Sequence, residues 1–273
     1  MGYDDRGRGP VVVLLHAFPF ARDVWSAGPR RDGAEGTGDD LPSTLARRFR
    51  VLSVDARGFG ESALRAVGGS SAPYAITDLA DDLAALLDAL DVPRAALLGM
   101  SMGGYTALAF AARHRARLTA LVLADTRAAA DTPEVRAKRD EALSTIHGRG
   151  VAAYLDGSLA RLLSPAASPA LHALVRARAE TRADSLVAGV EALRDRPDRT
   201  AECAAITCPT LLVCGAEDQV TPAAEMRRIG EAIPGRARAV VLADAGHLSH
   251  LEAPAAFAAA VEPFLQEALG GPS

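Results

Sequence analysis

The sequence predicts an α/β fold, in which a mostly parallel sheet carries helices on both faces. Three observations predict it. Short runs that are apolar throughout recur along the chain; the segments between them are amphipathic at helical spacing; and the two kinds alternate over most of the length. Residues 11–15 (VVVLL) form the first run, and 51–54, 95–100 and 121–124 follow, with 211–214 and 239–242 later. Strands apolar on both sides belong to a sheet covered on both faces, which is usually parallel. In the 77–90 link, Leu79, Leu83, Leu86, Leu87 and Leu90 make one stripe, while Asp78, Asp81, Asp82 and Asp88 take the opposite side.

The rhythm breaks between about 127 and 199. This stretch has no strand-like run and reads as amphipathic helices at 133–147, 150–163, 168–181 and 184–194. Pro133 suits a first helical position, and Ser164-Pro165 marks a break. The expectation is a core built from 1–126 and 200–273, with 127–199 as a helical cap inserted between two strands. Residues 26–44 are rich in Gly, Asp and Pro without apolar periodicity, and read as a surface loop.

Composition narrows the function. A chain of 273 residues, 49% hydrophobic and 23% charged, has the makings of a large core and is not a disordered chain. A net charge of −4 leaves no footprint for nucleic acid. No run of eighteen apolar residues is present, so no membrane span is expected. Residues 1–10 are polar and lack an apolar signal core, which predicts a cytoplasmic location. Cys203, Cys208 and Cys214 are odd in number and show no metal-ligand spacing, so buried inert thiols and no metal are expected. No Gly-rich phosphate loop follows a strand, so no dinucleotide cofactor is implied.

The chemistry gathers at Gly99-Met100-Ser101-Met102-Gly103, a G-x-S-x-G between an apolar strand and a helix at 104–113. That context is what a nucleophile elbow requires: flanking glycines remove the Cβ atoms that a sharp strand-to-helix turn would bring into collision. A serine hydroxyl is a weak nucleophile and needs a base, which in turn needs an orienting acid. Asp218 follows the run at 211–214 and His247 follows the run at 239–242, both at carboxyl ends of strands, where ligands bind in open α/β sheets.

Five separated motifs, in order, resemble those of the α/β-hydrolase fold superfamily. They are His16-Ala17-Phe18-Pro19, the DARGFGES segment beginning at Asp55, GMSMGG, GAEDQVTP around Asp218 and GHLSHLEAP around His247. The closest resemblance is to 3-oxoadipate enol-lactonase-like hydrolases, carboxylesterases and cofactor-free perhydrolases. The resemblance implies that Ser101 is the nucleophile, His247 the base and Asp218 the acid, with the backbone N–H groups of Phe18 and Met102 forming an oxyanion hole. His16 would shape the oxyanion loop. Trp25 would pack that loop and border the acyl pocket. Asp125, where some relatives carry the acid, is the alternative to Asp218. Asp55 and Arg57 read as structural, His250 as a surface or helix-start residue, and His114, His147 and His172 as solvated.

Ala17 stands where relatives carry Gly, a substitution that would strain any backbone of positive φ. The chain starts close to its first core strand, so the N-terminal edge of the sheet should be short, with seven strands or fewer. The implied activity is hydrolysis of a small carboxylic ester, thioester or lactone through an acyl-enzyme, with no cofactor and a small molecule as the substrate. A serine at the elbow argues against dehalogenase and epoxide-hydrolase chemistry. A ligand sensor that signals to a protein partner with slow turnover, and a perhydrolase, are the alternatives.

Overall fold

Alternation along each strand sorts the core into two layers. Successive side chains of a strand point to opposite faces, so Val13 and Leu15 join one apolar cluster while Val12 and Leu14 join the other. The computed structural model describes residues 1–28, 40–62, 66–67, 70–71, 73–235 and 237–270. Its strands are β1 (Tyr3–Gly7), β2 (Val11–Leu15), β3 (Arg50–Val54), β4 (Ala66–Val67), β5 (Ser70–Ser71), β6 (Ala95–Met100), β7 (Leu118–Ala124), β8 (Thr210–Gly215) and β9 (Ala237–Leu242). Its α-helices are α1 (Leu41–Ala46), α2 (Ile76–Ala89), α3 (Met102–Arg113), α4 (Pro133–Ser158), α5 (Pro169–Arg178), α6 (Ala183–Arg194), α7 (Ala223–Ala232), α8 (Ser249–Glu252) and α9 (Pro254–Leu269).

Seven strands form the main sheet in the order β1-β3-β2-β6-β7-β8-β9, while β4 and β5 pair by themselves. All neighbours in the main sheet run parallel except β1, which lies antiparallel on β3 with Tyr3 opposite Val54. The main sheet thus has seven strands among the described residues, within the number expected, with β1 at one edge. Strands β2, β6 and β8 are buried almost throughout, but β9 is an edge strand with Val241 54% exposed. The expectation that 239–242 is covered on both faces is thereby corrected: an apolar run does not reveal that its strand has only one neighbour.

Helices α4, α5 and α6 occupy the stretch between β7 and β8. Gly150 (φ 85°, ψ 168°) breaks α4 where two helices were expected, since only a residue without Cβ takes that backbone at little cost. Of the 26–44 loop, residues 29–39 lie outside the described residues, and 41–44 belong to α1. Asp40 caps that helix, accepting from the Ser43 N–H at 2.8 Å. No described helix is long and apolar enough to cross a membrane.

Candidate active site

The elbow is built by the absence of side chains. A Cβ on Gly99 would lie 2.3 Å from the Gly103 carbonyl oxygen, and one on Gly103 would lie 2.1 Å from the Leu15 carbonyl oxygen. Ser101 takes φ 51° and ψ −111°, a strained backbone for a residue with a side chain. Hydrogen bonds to its backbone hold it there. Its N–H donates to the Ala124 carbonyl at 2.9 Å, and its own carbonyl accepts from the Thr126 hydroxyl at 2.8 Å and from Gly104 N–H at 2.9 Å. Gly104 is the third small residue of the motif because Thr126 occupies the space a Cβ would need, 2.5 Å away.

The structure brings Ser101, His247 and Asp218 into one hydrogen-bonded line. His247 Nε2 lies 2.9 Å from Ser101 Oγ, and Nδ1 lies 2.8 Å from Asp218 Oδ2. His247 is 1% exposed and Asp218 5% exposed, so the pair is shielded from water. Asp218 is well anchored: Oδ1 accepts the N–H groups of Val220 (2.7 Å) and Thr221 (2.9 Å), and Oδ2 accepts the Thr221 hydroxyl at 2.6 Å. Burial would raise the Asp218 carboxyl, but the His247 charge and the hydrogen bonds from His247 and Thr221 outweigh it and bring it down to about 2. Burial likewise pushes the His247 imidazole down, and the Asp218 carboxylate more than offsets this, leaving His247 above its ordinary value.

Among the described residues Asp125 makes no hydrogen bond to the imidazole. It is fully buried at φ 44°, with Oδ1 accepting the Gly215 N–H at 2.8 Å and Oδ2 on the Ser249 hydroxyl. The acid hydrogen-bonded to the ring is therefore Asp218.

Neither the Phe18 N–H nor the Met102 N–H donates to another group among the described residues. Met102 opens α3, where the first N–H groups of a helix have no internal acceptor and carry the positive end of its dipole. Ala17 is absent from the residues of positive φ, so the strain anticipated at that position does not arise. His16 has a fixed role. The Ala56 N–H donates to its Nε2 at 2.9 Å, which leaves the proton on Nδ1 to donate to the Ala17 carbonyl at 3.0 Å. Burial lowers its pKa, so it stays neutral and ties the Phe18 loop to the Asp55 segment. Asp55 accepts the N–H groups of Arg22 (2.8 Å) and Glu61 (2.9 Å), and Arg57 pairs with Asp82 on α2 at 2.7 Å. Both are structural, as expected.

Trp25 is 1% exposed and packs against His250 with ring centroids 4.7 Å apart and the planes tilted by 51°. Of the two places expected of His250, a surface or a helix start, the structure gives the second, in the first turn of α8, and not the first. It is 5% exposed, hydrogen-bonds the Val24 carbonyl at 3.0 Å, and burial pushes it down to about 3. As a neutral imidazole it donates from Nε2 to that carbonyl and packs on the indole. Cys214 is buried in β8 and burial pushes its thiol up to about 12, which leaves it un-ionised and inert.

The helical stretch is bolted to both sides of this line. On one side the Glu180 N–H donates to the Pro19 carbonyl at 2.8 Å, Arg182 donates to the Gly58 carbonyl at 2.8 Å, and Gly189 of α6 makes room for the Phe18 ring. On the other, the Leu248 N–H donates to the Leu162 carbonyl at 3.1 Å. The buried Glu252 carboxylate accepts from both Gly246 N–H (2.8 Å) and Ser164 N–H (2.9 Å). Thr126, Thr221, Ser249 and Glu252 thus support the site without having been singled out from sequence; Thr221 lies in the GAEDQVTP motif and Ser249 and Glu252 in the GHLSHLEAP motif, whereas Thr126 lies in none.

Comparison with known proteins agrees with this architecture. Residues 10–254 match the family model described as the alpha/beta hydrolase fold. The chain is 31% identical over 227 residues to 3-oxoadipate enol-lactonase 2 of Acinetobacter baylyi, spanning 80% of this chain and 79% of that protein. Among solved structures it resembles a thermophilic esterase from Thermogutta terrifontis (TM-score 0.86, 32% identity, 98% of this chain and 93% of that one). It also resembles the enol-lactonase from Burkholderia xenovorans LB400 (TM-score 0.82, 30% identity, 97% and 96% covered). With the family model covering most of its length and the sheet order and elbow in place, the chain belongs to the α/β-hydrolase fold family.

Proposed function

We propose that the protein hydrolyses a small carboxylic ester, thioester or lactone through an acyl-enzyme on Ser101. The observation that carries this reading is the unbroken line Ser101 Oγ, His247 Nε2, His247 Nδ1, Asp218 Oδ2, with contacts of 2.9 and 2.8 Å. Ser101 attacks the carbonyl carbon and gives its proton to His247 Nε2. The Asp218 carboxylate keeps the Nδ1 proton in place and stabilises the imidazolium that forms. The negative oxygen of the tetrahedral intermediate is held by the N–H groups of Phe18 and Met102, and losing one such donor costs about 3 kcal/mol of transition-state stabilisation. The intermediate collapses with loss of the alcohol, thiol or ring oxygen, which takes the proton from His247. Water then attacks the acyl-enzyme, again with His247 as base, and releases the acid.

Residues 127–199 act as a cap in this account, its α5–α6 turn braced on the Phe18 loop and its 162–164 turn braced on the His247 loop. Lactone opening and ester cleavage, the activities in the relatives' names, are both hydrolyses at an acyl carbon, which supports the class. The test is a panel of p-nitrophenyl esters of graded acyl length, a thioester and lactones, run with the wild type and Ser101→Ala. Sustained turnover that disappears in Ser101→Ala with an unchanged CD spectrum is expected. Equal turnover by Ser101→Ala would overturn the assignment. Negligible turnover on every substrate, with ligand-dependent capture of a protein partner, would favour a sensor.

A further inference from the structure

One buried group beside this line has no part in the proton transfers. We propose that Asp125 is a positioning residue that fixes the Asp218 turn and the His247 turn against the Ser101 elbow. This rests on the proposed roles of Ser101, His247 and Asp218. Asp125 is the first residue after β7, and each of its groups reaches a different part of the site. Its N–H donates to the Val213 carbonyl in β8 at 2.9 Å. Its Oδ1 accepts the N–H of Gly215, which opens the turn carrying Asp218, at 2.8 Å. Its Oδ2 meets the hydroxyl of Ser249, two residues beyond His247. Its neighbours Ala124 and Thr126 hold the N–H and the carbonyl of Ser101. The three-residue segment Ala124-Asp125-Thr126 thus joins the three loops that supply nucleophile, acid and base. Its backbone, φ 44°, lies where Asp and Asn are tolerated better than most residues, and this strain is kept because the hydrogen bonds on every side determine it.

The geometry also sets the charge. Asp125 is fully buried, and no basic side chain pairs with it among the described residues. Its ionisable neighbours are Asp218 after β8, His247 after β9 and Cys214 at the end of β8, with Arg127 acting on His247 from the same segment. A buried carboxylate without a cation, with the charged Asp218 as an electrostatic neighbour, is held toward its neutral form. Burial first, and then the Asp218 charge, push Asp125 up to about 8. Its Oδ1 accepts the Gly215 N–H and its Oδ2 shares a hydrogen bond with the Ser249 hydroxyl, while Asp218 is the carboxylate hydrogen-bonded to the imidazole.

The experiment compares Asp125→Gly, Asp125→Asn and Ser249→Ala with the wild type on p-nitrophenyl acetate. It measures kcat, KM, the pH profile of kcat/KM and Tm, with Ser101→Ala as control. Glycine deletes the carboxyl while accepting positive φ, so it isolates the tether from the backbone. It is expected to lower kcat by about 10- to 100-fold with KM within about twofold, the cost of loosening a catalytic geometry by a fraction of an ångström to an ångström. Asparagine keeps an acceptor for Gly215 and a donor for Ser249, so it should recover kcat to within about fivefold of wild type and keep the acid inflection within about 0.3 of its position. Ser249→Ala should lower kcat about three- to tenfold. A glycine variant within twofold of wild-type kcat overturns the proposal, as does an asparagine variant no better than glycine. So does an acid inflection that drops by about one unit or more in Asp125→Asn, since that is the mark of a lost charge. If the glycine variant does not fold, the inflection in Asp125→Asn and the kcat of Ser249→Ala decide by the same criteria. An inactive Ser101→Ala beside a normal glycine variant sinks only the tether, whereas an active Ser101→Ala sinks the hydrolase reading itself.

Discussion

Replacing Asp218 by asparagine removes one charge and moves one proton, and the surrounding hydrogen bonds dictate which one. The two backbone donors, Val220 N–H at 2.7 Å and Thr221 N–H at 2.9 Å, require an oxygen at the Oδ1 position. The asparagine NH2 then faces His247 Nδ1 and the Thr221 hydroxyl. An Nδ1 that must accept carries no proton, so the imidazole holds its proton on Nε2, pointing at Ser101 Oγ, and cannot take the serine proton. Flipping the amide restores the tautomer but sets two backbone N–H groups against an NH2, at about 1–3 kcal/mol for each unmet donor. The same tautomer trap in a serine protease lowers kcat about 10⁴-fold, equivalent to about 5.5 kcal/mol at about 1.4 kcal/mol per decade. We expect Asp218→Asn to lose about 10³- to 10⁴-fold in kcat on p-nitrophenyl acetate at pH 8, with KM little changed and calorimetry showing a folded protein. A loss under tenfold would refute the reasoning. If Asp125→Asn were instead the inactive variant, the acid would be Asp125 after all.

Further outcomes follow from the same contacts. The base works only when neutral, and Asp218 holds His247 above its ordinary value, so kcat/KM should fall as pH drops, with half-loss at or above about pH 6.5; a rate flat from pH 5 to 8 would count against a histidine base. A carboxyl raised by burial stabilises the fold fully only below its unfolded pKa. Asp125 should therefore make the wild type progressively less stable from about pH 4 to pH 8, by at most about 1.4 kcal/mol per pH unit. Urea midpoints should show that slope in the wild type and a flatter one in Asp125→Asn, and parallel slopes would show Asp125 to be ionised. Gly103→Ala forces a Cβ to within 2.1 Å of the Leu15 carbonyl oxygen, and both groups belong to rigid backbone. It should cost at least about 3 kcal/mol, measured as lost soluble yield or a lowered urea midpoint. Glu252→Gln leaves one oxygen for two buried N–H donors, Gly246 and Ser164, and should cost about 1–3 kcal/mol of stability by the same measurement.

What was legible in the sequence is what depends on near neighbours. Val11–Leu15 and Ala95–Met100 read as strands because every residue is apolar, and they are buried because strands flank them on both sides. The elbow was legible because its steric demand falls on Gly99 and Gly103, each two residues from Ser101. What was not legible depends on residues far apart. The Thr126 hydroxyl holding Ser101 acts across 25 positions, and the Ser249 hydroxyl on Asp125 across 124. The burial of His250 was not legible from its neighbours in sequence. Its actual partners, Val24 and Trp25, lie more than two hundred residues earlier. The β9 run looked like a central strand because hydropathy reports the side chains of a strand and not its place in the sheet.

The central claim is that the Ser101 hydroxyl, activated by His247, attacks an acyl carbon. A fluorophosphonate that phosphonylates activated serines tests it directly. Intact mass and peptide mapping after stoichiometric treatment should show one adduct per chain, on the peptide containing Ser101, with ester turnover lost in proportion to labelling and with His247→Ala left unlabelled. Full turnover by an unlabelled protein, or inactivation by an adduct on a different residue, would contradict it.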